Sequence, residues 1–176
     1  MTDHGHMAAR LFRMDEQTWE RHASPWSVWT RVASLPLLLA AIWSHAWLGL
    51  WALAPVALVI LWLWFNPRLF PAPARTDTWS ARATFGERVW LNRKAVPIPD
   101  HHARVAQILT AVSAAGFVVA LVGALLNDPL PTVAGGLIAW FAKMWFCDRM
   151  VWLYDEMKNT HPPYAQWLRA GQKEVR

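Results

Sequence analysis

Long stretches of this sequence lack charged side chains. No Asp, Glu, Lys or Arg occurs between Arg31 and Arg68, and none occurs between Arg104 and Asp128. Charged residues make up 16% of the chain, against about a quarter in a typical soluble domain, whereas hydrophobic residues make up 55%. This composition excludes a disordered chain and an ordinary soluble enzyme, and it indicates that apolar faces contact lipid.

Cysteine and the common catalytic motifs are equally scarce. The single cysteine, Cys147, excludes an intramolecular disulfide framework, and its apolar surroundings predict an inert thiol. There is no Gly-rich phosphate loop and no Gly-x-Ser-x-Gly motif. The N-terminal residues lack the apolar core and cleavage site of a signal peptide, so the first apolar helix is expected to serve as the targeting signal. Met14 is an alternative start of the chain.

The apolar segments predict an all-α, polytopic membrane protein with four transmembrane helices in two hairpins, plus interfacial amphipathic helices. The uncharged stretch 32–67 is too long for one helix crossing a core of roughly 30 Å, and it suits two. We therefore expect helices over 25–44 and 46–65, with a tight turn at Ser44-His45. Asn66-Pro67 is expected to end the second helix, and Pro36 and Pro55 predict kinks rather than breaks.

A second hairpin is predicted from Val105 onward. Its first helix covers 105–127 and is rich in Ala and Gly, which permits close helix contact. A turn at Asn127-Asp128 leads to a helix that begins at Thr132. The whole chain, 1–176, is then one membrane domain. It consists of an N-terminal segment (1–24), hairpin 1 (25–65), a loop (66–104), hairpin 2 (105–154) and a tail (155–176).

Two further helices are predicted at the membrane surface. In the stretch 78–93, Trp79, Ala83, Gly86 and Trp90 recur at helical spacing, which is typical of an amphipathic interfacial helix. A shorter one is expected over 15–22.

The distribution of basic residues predicts the orientation. All 17 Lys and Arg residues lie before Val32, between Arg68 and Arg104, or from Lys143 onward. By the positive-inside rule both termini and the long loop are cytoplasmic. The net charge of +5 predicts contact with anionic lipid headgroups. Because the basic residues are spread over three segments flanking the membrane, without a recognisable nucleic-acid fold, we expect no nucleic-acid partner.

The 14 tryptophans are expected to form belts at the two membrane interfaces. Trp140, deep in the last helix, is the exception. Contact with a pigment, quinone or sterol is the alternative reading. The belt residues are Trp43, Trp47 and Trp51 at the outer end, and Trp26, Trp29, Trp62, Trp64, Trp145 and Trp152 at the inner ends.

Three ionisable residues lie within predicted membrane helices and are candidates for catalysis: Arg31, Lys143 and Asp148. Long Arg and Lys stems can instead snorkel to the interface. Asp148 has a short stem, so we expect a basic partner for it, Arg31 first and Lys143 second.

A metal site is a further possibility at the cytoplasmic surface. Asp148, Trp152 and Asp155 share one helix face, and that face could meet the His-containing segments. His with carboxylate is a common ligand set for transition metals. The alternative is that these are ordinary interfacial histidines; His4, His6 and His161 lie in the tails. The candidate ligands are Glu20, His22, His101, His102 and Asp155.

Four motifs carry a resemblance to a known family: DEQTWERHASPWSVWTR at 15–31, NPRLF at 66–70, GERVWLNR at 86–93 and DRMVWLY at 148–154. The chain resembles a domain-of-unknown-function family of small, Trp-rich prokaryotic membrane proteins. The resemblance implies a single-domain protein of a prokaryotic plasma (inner) membrane, and it implies no activity or cofactor. It directs attention to polar and aromatic residues as structural or interface positions: Trp26, Trp29, Arg31, Asp148, Arg149 and Trp152.

The leading functional hypothesis is a non-catalytic membrane component, either a homo-oligomer or an accessory subunit of a larger complex. The small-residue third helix, with Gly116 and Gly123, is expected to supply the association face. One alternative is an enzyme with a metal or acid/base site at the cytoplasmic interface. Another is a solute or ion pathway around Arg31, Lys143 and Asp148.

Overall fold

The computed structural model describes residues 16–169, and every regular element in that range is a helix. The predictions about His4, His6 and Met14 lie outside the described residues. The elements are α1 (Glu16–His22), α2 (Pro25–Val32), α3 (Ser34–Trp43), α4 (His45–Leu48), a 3-10 turn (Gly49–Ala52), α5 (Leu53–Leu69), α6 (Trp79–Leu91), α7 (Asp100–Leu126), α8 (Pro129–Thr160) and α9 (Pro162–Ala165).

Three segments are long and apolar enough to cross a membrane: Pro25–Leu69, Asp100–Leu126 and Pro129–Thr160. The chain divides into two compact units. The apolar unit consists of Trp29–Asn66 and Val105–Phe146. The polar unit holds the other described residues, 16–28, 67–104 and 147–169. One integral domain over 1–176 stays a prediction.

In the apolar unit, the first segment folds back on itself. Asn66 Nδ2 donates to Thr30 Oγ1 at 2.7 Å although the residues are 36 positions apart, and an unbroken helix would separate them by about 54 Å. The reversal covers the expected turn at Ser44-His45 and continues to Ala52. Gly49 adopts φ of 55° there, a conformation that favours glycine. The segment is therefore a helical hairpin.

Proline interrupts the helical hydrogen bonding of the first arm without ending the helical path, as expected for a kink. The interruption is at Ala33 alone, whose backbone stays in the helical region (φ −73°, ψ −13°), and Pro36 is the third residue of α3. Proline cannot donate to the carbonyl four residues earlier, which here belongs to Val32. That carbonyl accepts instead from Trp140 Nε1 at 3.3 Å. Trp140, the exception to the belts, thus compensates for a proline.

The second arm differs from the prediction at both ends. Pro55 is the third residue of α5, in its first turn, where a missing N–H costs little. The helix does not end at Phe65 but continues through Pro67 to Leu69. Pro67 lies in the last turn, directly after the buried Asn66 that is bonded to Thr30, and this side-chain bond holds the helical conformation there.

The second hairpin is confirmed as two helices, each starting earlier than predicted. The helix α7 begins at Asp100 rather than Val105, because the N–H groups of His102 and Ala103 bond to the carbonyl of Pro99. The helix α8 begins at Pro129 rather than Thr132. Asp128 Oδ1 accepts from the Leu130 N–H at 3.1 Å, which caps this helix.

Small residues form a seam between α7 and α8. A Cβ on Gly116 would lie 2.7 Å from the Ala139 nitrogen, and one on Gly123 would lie 2.6 Å from the Thr132 nitrogen. The backbones are therefore in direct contact at these positions. Gly116 and Gly123, expected on an association face, pack within the hairpin instead. The small-residue pattern showed a close contact, but the sequence did not show which helix provides it.

In the polar unit, the helix expected at 78–93 forms as α6. It was expected to lie at a surface with only one face buried, but it packs inside the unit. A Cβ on Gly86 would lie 1.8 Å from the Met150 carbonyl oxygen, so α6 and α8 touch through backbone. Its buried residues cover most of the helix: Ser80, Ala81, Ala83, Thr84, Phe85, Gly86 and Val89.

The segment after α8 closes the polar unit. Thr76 and Arg169 exchange two hydrogen bonds, and Thr76 Oγ1 donates to the Trp167 carbonyl at 2.8 Å. The Arg88 guanidinium lies 4.1 Å from the Trp167 ring centroid and donates to both carboxylate oxygens of Glu16. This hydrogen-bonded pair lowers the pKa of Glu16 and ties α1, confirmed over its described residues, to α6.

The Gly86 contact yields a stability prediction. Gly86→Ala forces the α6 and α8 backbones apart, so we expect a loss of about 1–3 kcal/mol in unfolding free energy. Gly136→Ala is the control, because its Cβ meets only the end of the Leu39 side chain at 3.0 Å. The control should be neutral or gain up to about 1 kcal/mol of helix propensity. Thermal unfolding in detergent measures both; equal midpoints would contradict the contact.

Candidate metal centre

Two adjacent histidines and a glutamate converge in the polar unit. His101 and His102 lie in the first turn of α7, and Glu156 lies near the end of α8. Their ligand atoms are all within 4.8 Å of one another. His102 Nε2 is 3.0 Å from Glu156 Oε2, and His101 Nε2 is 3.8 Å from the same oxygen. One carboxylate oxygen therefore faces both imidazoles.

Adjacent residues on a helix do not normally face one target, because they point about 100° apart. Here the two imidazole rings lie with centroids 4.2 Å apart, tilted by 38°. Glu156 approaches within reach of both rings. The two imidazoles of α7 can therefore face one common point, because Glu156 approaches both of them from α8.

The spacing fits a small divalent ion. Ligand bonds of roughly 2.0–2.2 Å in a tetrahedral site place neighbouring ligand atoms roughly 3.3–3.5 Å apart. The two measured N–O distances, 3.0 and 3.8 Å, lie on either side of that value. An ion bound by His102 Nε2 and Glu156 Oε2 would take the place of the hydrogen bond between them.

Burial makes the three groups unequal. The His102 side chain is 3% exposed, whereas His101 is 63% and Glu156 46% exposed. Within residues 16–169, His102 Nδ1 is buried and has no hydrogen-bond partner. The cluster thus has one sheltered ligand and two that face outward, which leaves room for an external ligand on an ion.

The other predicted metal ligands are engaged elsewhere. Glu20 pairs with Arg169 at 3.2 Å, and His22 Nδ1 lies 3.1 Å from the Ser27 hydroxyl. Asp155 accepts from Arg82 at 3.3 Å and also pairs with Lys158. The structure therefore brings together His101 and His102 of the predicted set and omits Glu20, His22 and Asp155.

Glu156 is the member of the cluster that the sequence analysis did not include. The predicted face of α8 ran through Asp148, Trp152 and Asp155, and that choice excluded the next residue in the chain. In the structure, Asp148 and Asp155 meet α6, through Trp79 and Arg82. Glu156 lies about 100° further round the helix and meets α7. Without knowing which helix packs on which side of α8, the sequence favours neither carboxylate.

The three candidates for catalysis do not all belong to one unit. Asp148 Oδ1 accepts from Trp79 Nε1 at 3.1 Å in the polar unit. Arg31 and Lys143 belong to the apolar unit, and Lys143 Nζ lies 4.4 Å from the Phe146 ring centroid. An ion pair of Asp148 with either residue stays a prediction.

The Trp79 contact can be separated from an ion pair by two variants. Asp148→Asn keeps an oxygen acceptor for the indole N–H, so it should change the unfolding free energy by less than about 1 kcal/mol. Asp148→Ala removes the acceptor and should cost about 1–3 kcal/mol. Chemical unfolding in detergent measures both. A loss for Asp148→Asn as large as for Asp148→Ala would show that the charge, not the acceptor, matters.

Comparison with known proteins gives a family without an activity. A model described as a family of unknown function (DUF6653) matches residues 4–172, which confirms the resemblance carried by the four motifs. No curated protein and no solved structure matches the chain.

Proposed function

The chain belongs to the family of unknown function DUF6653, and from this premise we propose that it is an integral membrane protein that binds one divalent transition-metal ion at its cytoplasmic side. The ion is held by His101, His102 and Glu156. The convergence of these three ligand atoms within 4.8 Å is the observation that carries the proposal.

The membrane arrangement follows from the apolar segments. The first segment folds back through the Asn66–Thr30 bond, so three apolar segments provide four crossings. Leu50 and Leu130, near the turns of the two hairpins, have highly exposed apolar side chains, which suits a lipid environment. With basic residues near the opposite ends, the positive-inside rule places both termini on the cytoplasmic side of a prokaryotic plasma membrane with anionic lipids.

Two imidazoles and one carboxylate form the ligand set of many zinc and non-haem iron(II) sites. Three protein ligands leave at least one coordination position for water or substrate. An ion in such a site acidifies bound water and polarises an oxygen-containing substrate. That open position would face solvent, because His101 and Glu156 are the exposed members of the cluster.

Metal titration tests the proposal. Protein purified in detergent and stripped with chelator should bind one equivalent of Co²⁺, with the visible absorption of a site containing imidazole nitrogens. Glu156→Gln and His102→Gln should weaken binding by more than about tenfold, because even losing a group that only orients a ligand costs roughly 10–100-fold.

Matched controls come from the residues outside the cluster. Glu20→Gln and His45→Gln alter a carboxylate and an imidazole that the cluster does not include, so Co²⁺ affinity should stay at the wild-type value. If wild-type and Glu156→Gln proteins bind Co²⁺ equally, or neither binds it, the three residues form only a hydrogen-bonded contact and the proposal is wrong.

Self-association or an accessory role in a membrane complex is a second candidate. Gly116 and Gly123 no longer support it, but the apolar unit has an open apolar groove of about 470 Å³ that includes Ile108 and Phe141. Both side chains are exposed. The solute or ion pathway around Arg31, Lys143 and Asp148 stays a prediction, since these residues fall in different units.

Native mass in mild detergent tests this candidate. If a second copy occupies the groove, wild-type protein is an oligomer, and Phe141→Ala with Ile108→Ala shifts it toward the monomer. Leu130→Ala, also at an exposed apolar residue but outside the groove, should leave the mass unchanged. A wild-type particle of one chain without other polypeptides would exclude association.

A further inference from the structure

Arg149, which has no anionic partner among residues 16–169, lies on the side of α8 that carries Glu156. Arg149 and Glu156 are seven residues apart, so they share a helix face. The neighbouring face, with Asp148 and Asp155, is used for contacts to α6. Arg149 is therefore turned to the same side as the His101–His102–Glu156 cluster.

The guanidinium of Arg149 is partly desolvated and has no hydrogen bond or ion pair within the part of the chain that the structure describes. Its Nε is buried without a hydrogen-bond partner. Its contact is with the exposed Trp152 ring, 4.7 Å from the centroid. By contrast, Arg75, Arg82 and Arg88 each have a carboxylate partner. The guanidinium N–H groups of Arg149 are therefore available to bind an anion.

Two positive centres on one face, a metal ion and a guanidinium, attract an anion with several oxygen acceptors. A guanidinium presents two parallel N–H donors that match the oxygens of a phosphate. The metal's open position takes an oxygen as its further ligand.

We propose that Arg149 and the metal ion held by His101, His102 and Glu156 together bind a phosphate group, one oxygen on the ion and others on the guanidinium. This inference rests on the proposed metal centre. The phosphate belongs to either a lipid headgroup or a soluble phosphate compound. Trp152, exposed beside Arg149, suits a position at the membrane interface.

Titration with inorganic phosphate, followed by calorimetry and by the Co²⁺ spectrum, tests the site. Phosphate should bind the Co²⁺-loaded wild-type protein and change its visible spectrum. Arg149→Gln should weaken phosphate binding by roughly tenfold to a hundredfold while Co²⁺ affinity stays unchanged. Arg149→Lys keeps the charge but loses the paired donors, so its affinity should lie between the two. Arg75→Gln, at an exposed arginine already paired with Asp77, is the matched control.

The outcomes separate this inference from the metal centre. Normal Co²⁺ binding with equal phosphate affinity in wild type and Arg149→Gln overturns the phosphate site and leaves the metal site intact. No Co²⁺ binding overturns the metal site; phosphate binding to the metal-free protein that still requires Arg149 would then support an anion site without the ion. No phosphate binding in either form overturns the inference.

The two sources of phosphate are separated in lipid nanodiscs. If the phosphate monoester of a lipid headgroup occupies the site, inorganic phosphate should bind more weakly in nanodiscs of phosphatidylcholine with phosphatidic acid than in nanodiscs of phosphatidylcholine alone, whose headgroup phosphate is a diester. Affinity that is equal in the two nanodiscs and as high as in detergent would assign the site to a soluble compound.

Discussion

The polar unit is organised by the contact of α6 and α8 at Gly86 and Met150, where no side chain separates the two backbones. This contact fixes which side of α8 is covered. On the covered side, Asp148 and Asp155 bond to Trp79 and Arg82 of α6. The adjacent side, with Arg149 and Glu156, is left for the first turn of α7. The positions of the histidine cluster and of Arg149 both follow from this division of α8 into two faces.

In the apolar unit, side chains supply the hydrogen bonds that the backbone lacks. A buried carbonyl that a proline leaves without its helical donor needs another one. The Val32 carbonyl is satisfied by the indole N–H of Trp140. The same requirement explains the buried Asn66, whose bond to Thr30 ties the two arms of the first hairpin together. Asn66 and Trp140 therefore stabilise the packing of this unit, whereas the His101–His102–Glu156 cluster and Arg149 belong to the polar unit.

Sequence periodicity predicted the helices well, because long apolar stretches and their flanking prolines are local signals. The ends were less predictable: the bond from His102 to the Pro99 carbonyl extends α7 into a polar stretch that hydropathy does not count as helix. Contacts between helices were the least predictable. Gly116 and Gly123 indicated that another helix approaches closely, but not which one. The sequence also could not show whether Asp155 or Glu156 faces the histidines, because this depends on which helices pack against α8. His101 and His102 were predictable because an adjacent pair is visible in the sequence itself.

X-ray absorption at the zinc edge, on protein loaded with one equivalent of Zn²⁺, tests the metal centre most directly. The ligand set His101, His102 and Glu156 predicts two imidazole nitrogens and at least one carboxylate oxygen at roughly 2.0–2.2 Å, with a remaining oxygen from water or phosphate. A spectrum without imidazole scattering, or protein that does not retain zinc, would contradict the assignment of this cluster as a metal site.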